Sequence, residues 1–248
     1  LELQQRLDEV LDVVLFGDTT AGAVVVMNPL TGAVLAMSSY PSYDLNLFTR
    51  GISQKDYNEL LNDPAKPLIN RVTQGLYPPG STMKVFTGAA ALDLGVLDPD
   101  YAFDESQIED DYWTPTEYGA WIWTPIKRTH VNYPISGPLN MRKAFIHSEN
   151  IYFANAALLI GWEAFEEYLE GIGFTESIPF DISVAQPQLT NDDTEMNYKL
   201  LADSGYGQGE ILVTPLQLAA MFASFANGGD IAIPYVVEGV YKENGVKY

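Results

Sequence analysis

The sequence predicts an α/β protein of the α+β type: an antiparallel sheet with flanking helices, and a helical subdomain inserted between its N-terminal and C-terminal strands. Small and β-branched residues cluster near the start of the chain, helical periodicity fills its middle, and a strand-like run returns near the end. We expect the sheet part at residues 1–38 and 230–248, and the helical, active-site part at residues 39–229. A chain of 248 residues with 47% hydrophobic residues is long enough to bury the core of one large domain.

The first elements are predicted to be an amphipathic helix and a β-hairpin. Apolar residues recur at helical spacing over residues 3–14, which predicts a helix that ends before Gly17. The runs at 21–27 and 33–38 favour strands, and the segment 28–32 between them (Asn-Pro-Leu-Thr-Gly) is typical of a turn. We therefore expect the two strands to pair as a hairpin.

Most of the remaining regular structure is predicted to be helical. Helical periodicity recurs at residues 53–61, 81–94, 139–146, 150–160, 162–169 and 215–227. Ser53 is a typical N-cap, and Gly95 is a typical helix stop. Thr214 opens a capping box and is followed by proline at the first helical position, which predicts a firm helix start.

Two regions outside these helices are less regular. Periodicity fails between residues 98 and 133, where acidic and aromatic residues are mixed, and we expect loops and short pieces on the domain surface. Residues 231–241 resemble a strand that Pro234 places at a sheet edge. Asn244-Gly245 is a strong hairpin signal with only three residues after it, so we expect the C-terminal strands to be incomplete. The chain also begins without methionine, and we expect it to be cut at both ends.

Composition excludes several classes of function. The chain has 13 Lys and Arg against 33 Asp and Glu, and a formal charge of −20 disfavours binding to nucleic acid or to an anionic membrane surface. It has no cysteine, which excludes disulfides, thiolate nucleophiles and iron–sulfur clusters. Its two histidines form no His-Glu-x-x-His pair, so a conventional metallohydrolase is not expected.

The most informative segment is 77–84, which reads Tyr-Pro-Pro-Gly-Ser-Thr-Met-Lys. The prolines and glycine predict a sharp entry that places Ser81 near a helix N-terminus, where developing negative charge is favoured. Lys84 follows three residues later on the same helix face and could act as the base that a serine nucleophile needs. Taken alone the pattern is weak, and the alternative is a capping serine beside a solvated lysine.

Two further segments are candidates for the same site. Ser148 and Asn150 lie in a short turn between two helical patterns, where both could point into one cleft; the alternative is that either residue is a helix N-cap. The segment 204–210 (Ser-Gly-Tyr-Gly-Gln-Gly-Glu) resembles a phosphate-binding loop only superficially, since no strand clearly precedes it and no lysine follows at the required position. A close backbone approach near a cleft fits it better.

Together these motifs resemble the transpeptidase domain of the penicillin-binding proteins, especially the monofunctional (class B) type. Ser-x-x-Lys and Ser-x-Asn occur in the family order. Other short segments also resemble the family's sequences: they lie at 26–37 (Val-Met-Asn-Pro-Leu-Thr-Gly-Ala-Val-Leu-Ala-Met), 70–71 (Asn-Arg), 207–209 (Gly-Gln-Gly) and 214–217 (Thr-Pro-Leu-Gln). The resemblance covers nearly the whole chain except residues 98–133.

The resemblance implies a serine-type peptidoglycan D,D-transpeptidase that cross-links stem peptides ending in D-Ala-D-Ala and is acylated by β-lactams. Ser81 would be the nucleophile and a neutral Lys84 its base, while Ser148 would relay a proton and Asn150 would bind the substrate amide. A substrate-binding segment would include the residues Gly207, Gln208 and Gly209. The family needs no metal or organic cofactor, acts at the extracytoplasmic face of the bacterial membrane, and can engage cell-division or elongation proteins.

One motif of the family is missing from the chain. The family carries Lys-Thr-Gly on a sheet strand beyond the Gly-Gln-Gly segment, and these 248 residues contain no such triplet. We expect that strand to belong to the natural protein, with the present chain truncated before it and impaired as an enzyme. A β-lactamase or β-lactam sensor of the same fold, and a non-catalytic cell-division scaffold, remain alternatives. Retention of all four candidate polar residues argues against the scaffold.

Overall fold

The structure is a computed structural model that describes residues 2–15, 21–119, 123–129, 137–191 and 193–240. The helices are α1 Glu2–Val14, α2 Gln54–Asn62, α3 Met83–Asp93, α4 Met141–His147, α5 Asn150–Ile160, α6 Trp162–Gly171, α7 Tyr198–Gly205 and α8 Pro215–Ala223. The strands are β1 Gly22–Met27, β2 Val34–Tyr40, β3 Ala102–Phe103, β4 Ile108–Glu109, β5 Tyr112–Trp113, β6 Ile126–Lys127 and β7 Leu139–Asn140. Helices and antiparallel sheets are mixed in one chain, which confirms the predicted α+β class.

The chain divides into two compact units. The first comprises residues 1–77, 176–187 and 213–248, and the second comprises residues 78–175 and 188–212. The predicted division into a sheet part at 1–38 and 230–248 and a helical part at 39–229 stays a prediction.

The first unit is built on the predicted hairpin of β1 and β2. The two strands pair antiparallel, with Gly22 opposite Tyr40 and a bulge at the Met27 end. In the turn, the Asn28 side chain accepts the amide of Leu30 at 2.9 Å, as expected for an asparagine that stabilises its own turn. Helix α1 packs against β2 and helix α8 against β1. The predicted caps also form, since Ser53 accepts from the amide of Asp56, and Thr214 from that of Gln217.

The second unit is organised around α5. Every residue from Ile151 to Leu158 is buried, and α3, α4, α6 and α7 all pack against this helix. Gly205 of α7 allows a close approach, because a Cβ atom there would lie 2.5 Å from the carbonyl oxygen of Phe153. The hydroxyl of Thr87 in α3 donates to the Gly205 carbonyl at 2.8 Å and ties α3 to the same contact. The helix that carries the Ser-x-x-Lys pattern is thereby held against the helix that begins at Asn150.

The predicted strand at 231–241 is wrong over residues 231–240, where the structure has no strand. A single parallel bridge joins Ala33 to Tyr235. The next two amides, of Val236 and Val237, donate to the carboxylate of Asp181 at 2.5 and 3.0 Å instead of to a neighbouring strand. A side-chain acceptor therefore replaces the sheet ladder here. The predicted hairpin at Asn244-Gly245 lies outside the described residues.

The described residues of the segment 98–133, which are 98–119 and 123–129, are more ordered than predicted. Strands β4, β5 and β6 form a three-stranded antiparallel sheet, and β3 pairs with β7. Trp113 is 1% exposed and packs edge-on against Phe103, with ring centroids 5.1 Å apart. The prediction of short pieces is confirmed, but their placement wholly on the surface is wrong, since Trp113 is part of the core.

Other helix bounds differ from prediction at their ends. A 3-10 turn at Gly80–Thr82 precedes α3, so Ser81 lies just before the α-helix. Helix α8 ends at Ala223 and continues as a 3-10 turn to Ala226. Helix α7 was not predicted, although Asn197, which accepts from the amide of Leu200, is a typical N-cap.

Candidate active site

Ser81 lies in a tight turn that another segment of the same unit holds in place. The amide of Gly80, at φ +57°, donates to the carbonyl of Gly207 at 3.1 Å. Gly207 has φ +83°, and a Cβ atom there would lie 2.0 Å from the Gly80 oxygen. Only glycine allows this approach, which fixes the turn immediately before Ser81 and leaves the Ser81 side chain exposed.

Lys84 lies in the first turn of α3 and points back toward Ser81. The residue is 2% exposed, and its Nζ lies 3.1 Å from Ser81 Oγ. The expected reach between the two residues is therefore present. Neither part of the alternative interpretation holds, because Ser81 caps no helix and Lys84 is not solvated.

The turn between α4 and α5 supplies the other polar groups. Ser148 is the C-cap of α4 in the left-handed region, at φ 51° and ψ 47°, a conformation that costs a non-glycine residue about 1–3 kcal/mol. Glu149 is the N-cap of α5 and accepts from the Ile151 amide, and Asn150 is the first residue of that helix. The alternative that Ser148 or Asn150 is the N-cap is therefore wrong.

These residues meet at the Lys84 amine. Its Nζ lies 3.0 Å from Ser148 Oγ, 2.7 Å from Asn150 Oδ1 and 2.5 Å from the Ser148 carbonyl oxygen. Ser148 Oγ also lies 3.1 Å from Ser81 Oγ. Two hydroxyls and one amine thus form a triangle in which every side is a hydrogen-bond distance, and a proton can pass along any of them.

The surroundings of Lys84 make its neutral form more accessible than that of an ordinary lysine. Burial lowers its pKa from an ordinary value of 10.5 to about 8, while the negative charge of Glu149 acts in the opposite direction. A neutral amine has two N–H donors and one lone pair. The Ser148 carbonyl and Asn150 Oδ1 can only accept, so together they match the two donors. The lone pair is then left for a serine hydroxyl, as a general base requires.

The predicted substrate-binding residues are held by backbone contacts in the same unit. A Cβ atom on Gly209 would lie 3.0 Å from both the Cα and the backbone nitrogen of Ser204, so this position leaves little room for a side chain. The Gln208 amide donates to the Asp203 carbonyl at 2.9 Å, and the Gln208 side chain is exposed. Together with the contact of Gly207, these observations give the glycines a structural role. Substrate binding by Gly207, Gln208 and Gly209 stays a prediction.

Three residues near the site were missed by sequence reasoning. Glu149 is 0% exposed and lies between the two residues of the Ser-x-Asn motif. Its carboxylate accepts the Thr129 amide at 3.0 Å and lies 3.7 Å from Arg128 Nε. An acidic residue between two candidate site residues was the one local signal, whereas nothing local marks Thr129 or Arg128.

In the part of the chain that the structure describes, no three acidic or histidine side chains lie close enough together to hold a metal ion. Within the same residues, no helix combines the length and the apolarity needed to cross a bilayer.

Comparison with known proteins adds a family match. The family model described as the penicillin-binding protein transpeptidase domain matches residues 22–248. The chain is 33% identical to penicillin-binding protein 3 of Bacillus subtilis over 88% of the chain and 31% of that protein. It is 32% identical to the peptidoglycan D,D-transpeptidase MrdA of Escherichia coli K12 over 96% of the chain and 37% of that protein. The chain thus spans about a third of the length of these curated relatives.

Solved structures give the same result. The Pseudomonas aeruginosa PBP2 in complex with WCK 5153 is 33% identical with a TM-score of 0.77, covering 93% of this chain and 51% of that one. A penicillin-binding protein 2 from Helicobacter pylori is 26% identical with a TM-score of 0.79, covering 94% of this chain and 42% of that one. An imipenem acyl-enzyme complex of penicillin-binding protein A from Mycobacterium tuberculosis has a TM-score of 0.74 at 29% identity, covering 92% and 50% of the two chains.

Proposed function

The chain belongs to the penicillin-binding protein transpeptidase domain family, and on this premise we propose that it carries the acyl-transfer centre of a peptidoglycan D,D-transpeptidase. The observation that carries the proposal is the triangle of Ser81 Oγ, Lys84 Nζ and Ser148 Oγ, with sides of 3.0–3.1 Å. Relatives named for this activity and a neighbour solved as an imipenem acyl-enzyme support it.

In the first half of the reaction, Ser81 Oγ attacks the carbonyl carbon of the penultimate D-Ala of a stem peptide. The hydroxyl proton passes to the lone pair of Lys84, and a tetrahedral intermediate forms with its negative charge on the former carbonyl oxygen. When this intermediate collapses, the C–N bond to the terminal D-Ala breaks, Ser148 relays the proton from Lys84 to the departing amine, and an ester to Ser81 remains. The amide of Ser81, at the turn before α3, is one donor to the developing oxyanion.

In the second half, the amine of another stem peptide attacks the ester. Lys84, neutral again, takes the amine proton as the new amide bond forms, and the proton returns to Ser81 Oγ when the ester C–O bond breaks. Asn150 binds the substrate amide through the part of its side chain that Lys84 does not use. A β-lactam follows only the first half, because its opened ring stays attached and no leaving group departs.

Two assays test this function. A peptide ending in D-Ala-D-Ala should release free D-Ala in the presence of an acceptor amine, and a fluorescent penicillin should form a lasting adduct. Rapid turnover of penicillin without an adduct would instead indicate a β-lactamase. Absence of both D-Ala release and an adduct would leave the scaffold interpretation and contradict the proposal.

We further propose a place and partners for the natural protein. A site for peptidoglycan stem peptides implies action at the extracytoplasmic face of the bacterial membrane. A Helicobacter pylori relative with 26% identity has been solved in complex with MreC, which supports an elongation protein as a partner. Co-purification of the natural protein with such an elongation protein tests this proposal. Substitution of the surface residues that contact the partner should abolish the co-purification.

The proposed relay predicts a partial loss in Ser148→Ala. Acylation by penicillin should slow by about 10²–10⁴-fold, the range that one proton-transfer group contributes. Stopped-flow measurement of the acylation rate checks it, with Ser224→Ala as the control, since the Ser224 hydroxyl donates to the Met221 carbonyl at 2.7 Å and takes no part in the triangle. Acylation of Ser148→Ala at the wild-type rate would leave Ser148 with a structural role only.

The lowered pKa of Lys84 predicts how acylation depends on pH. At pH 7 roughly one lysine in ten is neutral with a pKa of about 8, against roughly one in three thousand at the ordinary value of 10.5. Because only the neutral form accepts the serine proton, the rate should rise with pH through about 8 and level off above it. A rate that is flat or falls between pH 6 and 9 would contradict a neutral Lys84 as the base.

A further inference from the structure

Ser148 needs an external restraint to hold its position. It adopts a left-handed conformation that non-glycine residues disfavour, and its Oγ must lie within hydrogen-bond distance of both Ser81 and Lys84. Such a conformation persists only when surrounding groups over-determine it. The groups that hold Ser148 in this conformation therefore also hold its hydroxyl within hydrogen-bond distance of Ser81 and Lys84.

Thr129 contacts all three residues of the Ser-Glu-Asn turn. Its hydroxyl donates to the Ser148 carbonyl at 2.7 Å and accepts the amide of Asn150 at 3.2 Å. Its own amide donates to Glu149 Oε1 at 3.0 Å. One residue, about twenty positions away in sequence, thus holds three consecutive residues of the turn through three hydrogen bonds.

The bond to Asn150 fills a position that the helix leaves open. Asn150 is the first residue of α5, so its amide has no partner within the helix. The carbonyl of Ser148 is shared in a similar way, since it accepts from both Thr129 Oγ1 and Lys84 Nζ. Thr129 therefore fixes the same carbonyl that orients the amine of Lys84.

Thr129 is itself anchored by buried charge. Arg128 lies 3.0 Å from Glu105 and 3.7 Å from the fully buried carboxylate of Glu149. The Arg128 amide donates to the carbonyl of Asp111 at 2.9 Å, next to β5. The three-stranded sheet of β4, β5 and β6 thereby ends in an anchored residue directly beside the turn.

We propose that Thr129 is a positioning residue that holds Ser148 and Asn150 in their catalytic geometry, and that the sheet of β4, β5 and β6 serves to place it. The inference rests on the proposed function of Ser148 and Asn150. It gives a role to part of the acidic and aromatic segment 98–133, for which the sequence predicts no regular element. Thr129 acts through the turn and not on the reacting atoms.

A matched pair of variants tests the hydroxyl of Thr129. Thr129→Val keeps the branched shape and the hydrogen bond from the backbone N–H to Glu149, but it removes both hydrogen bonds of the hydroxyl. Thr129→Ser keeps all three hydrogen bonds. The side chain is exposed, so neither change disturbs a core. Thr49→Val, which removes the hydroxyl bond to the Asn46 carbonyl, is the control outside the site.

The rate of the acylation step should fall by about 10- to 100-fold in Thr129→Val, because a displacement of catalytic groups on the order of 1 Å costs such a factor. Substrate affinity should change little, and Thr129→Ser should acylate at close to the wild-type rate. The Asn150 amide should also exchange with solvent faster in Thr129→Val but not in Thr129→Ser. Wild-type acylation in Thr129→Val, or unchanged exchange at Asn150, would overturn the proposal.

The exchange measurement separates this inference from the proposed function. If the wild-type protein forms no adduct at Ser81, the proposed function fails, yet exchange at Asn150 still decides whether Thr129 holds the turn. If the adduct forms and exchange does not respond to Thr129→Val, the proposed function stands and the role of Thr129 is wrong.

Discussion

Replacing Ser81 with alanine is expected to abolish covalent labelling by a fluorescent penicillin. Its Oγ is the exposed member of the triangle, and its proton acceptor lies 3.1 Å away. Without the hydroxyl no ester can form, and residual binding would be reversible. Labelling is read after denaturation, so that only a covalent adduct is counted.

The control for Ser81→Ala is Ser53→Ala. Ser53 is the N-cap of α2, and its loss should lower stability by about 1 kcal/mol without reducing labelling. Thermal unfolding of both variants separates folding from chemistry. Labelling that persists in Ser81→Ala would require another nucleophile and would remove the basis of the proposed mechanism.

Replacing Lys84 with methionine is expected to slow acylation by about 10⁴-fold, the upper end of what a positioned base contributes. Serine is a weak nucleophile without a base, and Lys84 Nζ is the base within reach of both hydroxyls of the triangle. Methionine keeps an unbranched apolar stem of similar length in this buried position. The measurement is the second-order rate of penicillin acylation on folded protein.

Lys84→Arg distinguishes a base from a cation. Arginine keeps a positive charge but cannot be deprotonated in a protein, so it should be as inactive as methionine if Lys84 acts as a base. Circular dichroism confirms that each variant is folded before its rate is compared. Substantial acylation by Lys84→Arg would show that positive charge alone suffices, and the neutral lysine would have to be abandoned.

Local signals predicted much of the fold. The helical spacing of α1, the turn chemistry between β1 and β2, and the caps at Ser53 and Thr214 each lie within a few residues of the element they define. Helix α7 has a local signal at its N-cap Asn197, but its 8 residues are too few to give a clear helical period.

The wrong predictions depend on contacts distant in sequence. Residues 236 and 237 do not extend a sheet, because the carboxylate of Asp181, some 55 positions earlier, takes their amides. Trp113 is buried because Phe103 packs against it, which no periodicity within 98–133 reveals. The alternation and spacing of apolar residues indicate which face of a helix or strand is buried, but not which other segment packs against it.

The candidate site shows the same division. The separation of Ser81 and Lys84 follows from one helical turn, so their contact was predictable from spacing alone. The contact with Ser148 and Asn150 depends on the packing of α3 against α5, and family resemblance indicated it where residue spacing could not. Thr129 reaches the turn from a segment with no periodicity, so its position required the structure.

Identifying the acylated residue is the decisive test of Ser81 as the nucleophile. The purified protein would be exposed to benzylpenicillin, digested, and analysed by tandem mass spectrometry for peptides that carry the mass of the opened antibiotic. We expect the added mass on Ser81, in the peptide that also contains Lys84. An adduct on another residue, or a hydrolysed antibiotic with no adduct on any peptide, would contradict it.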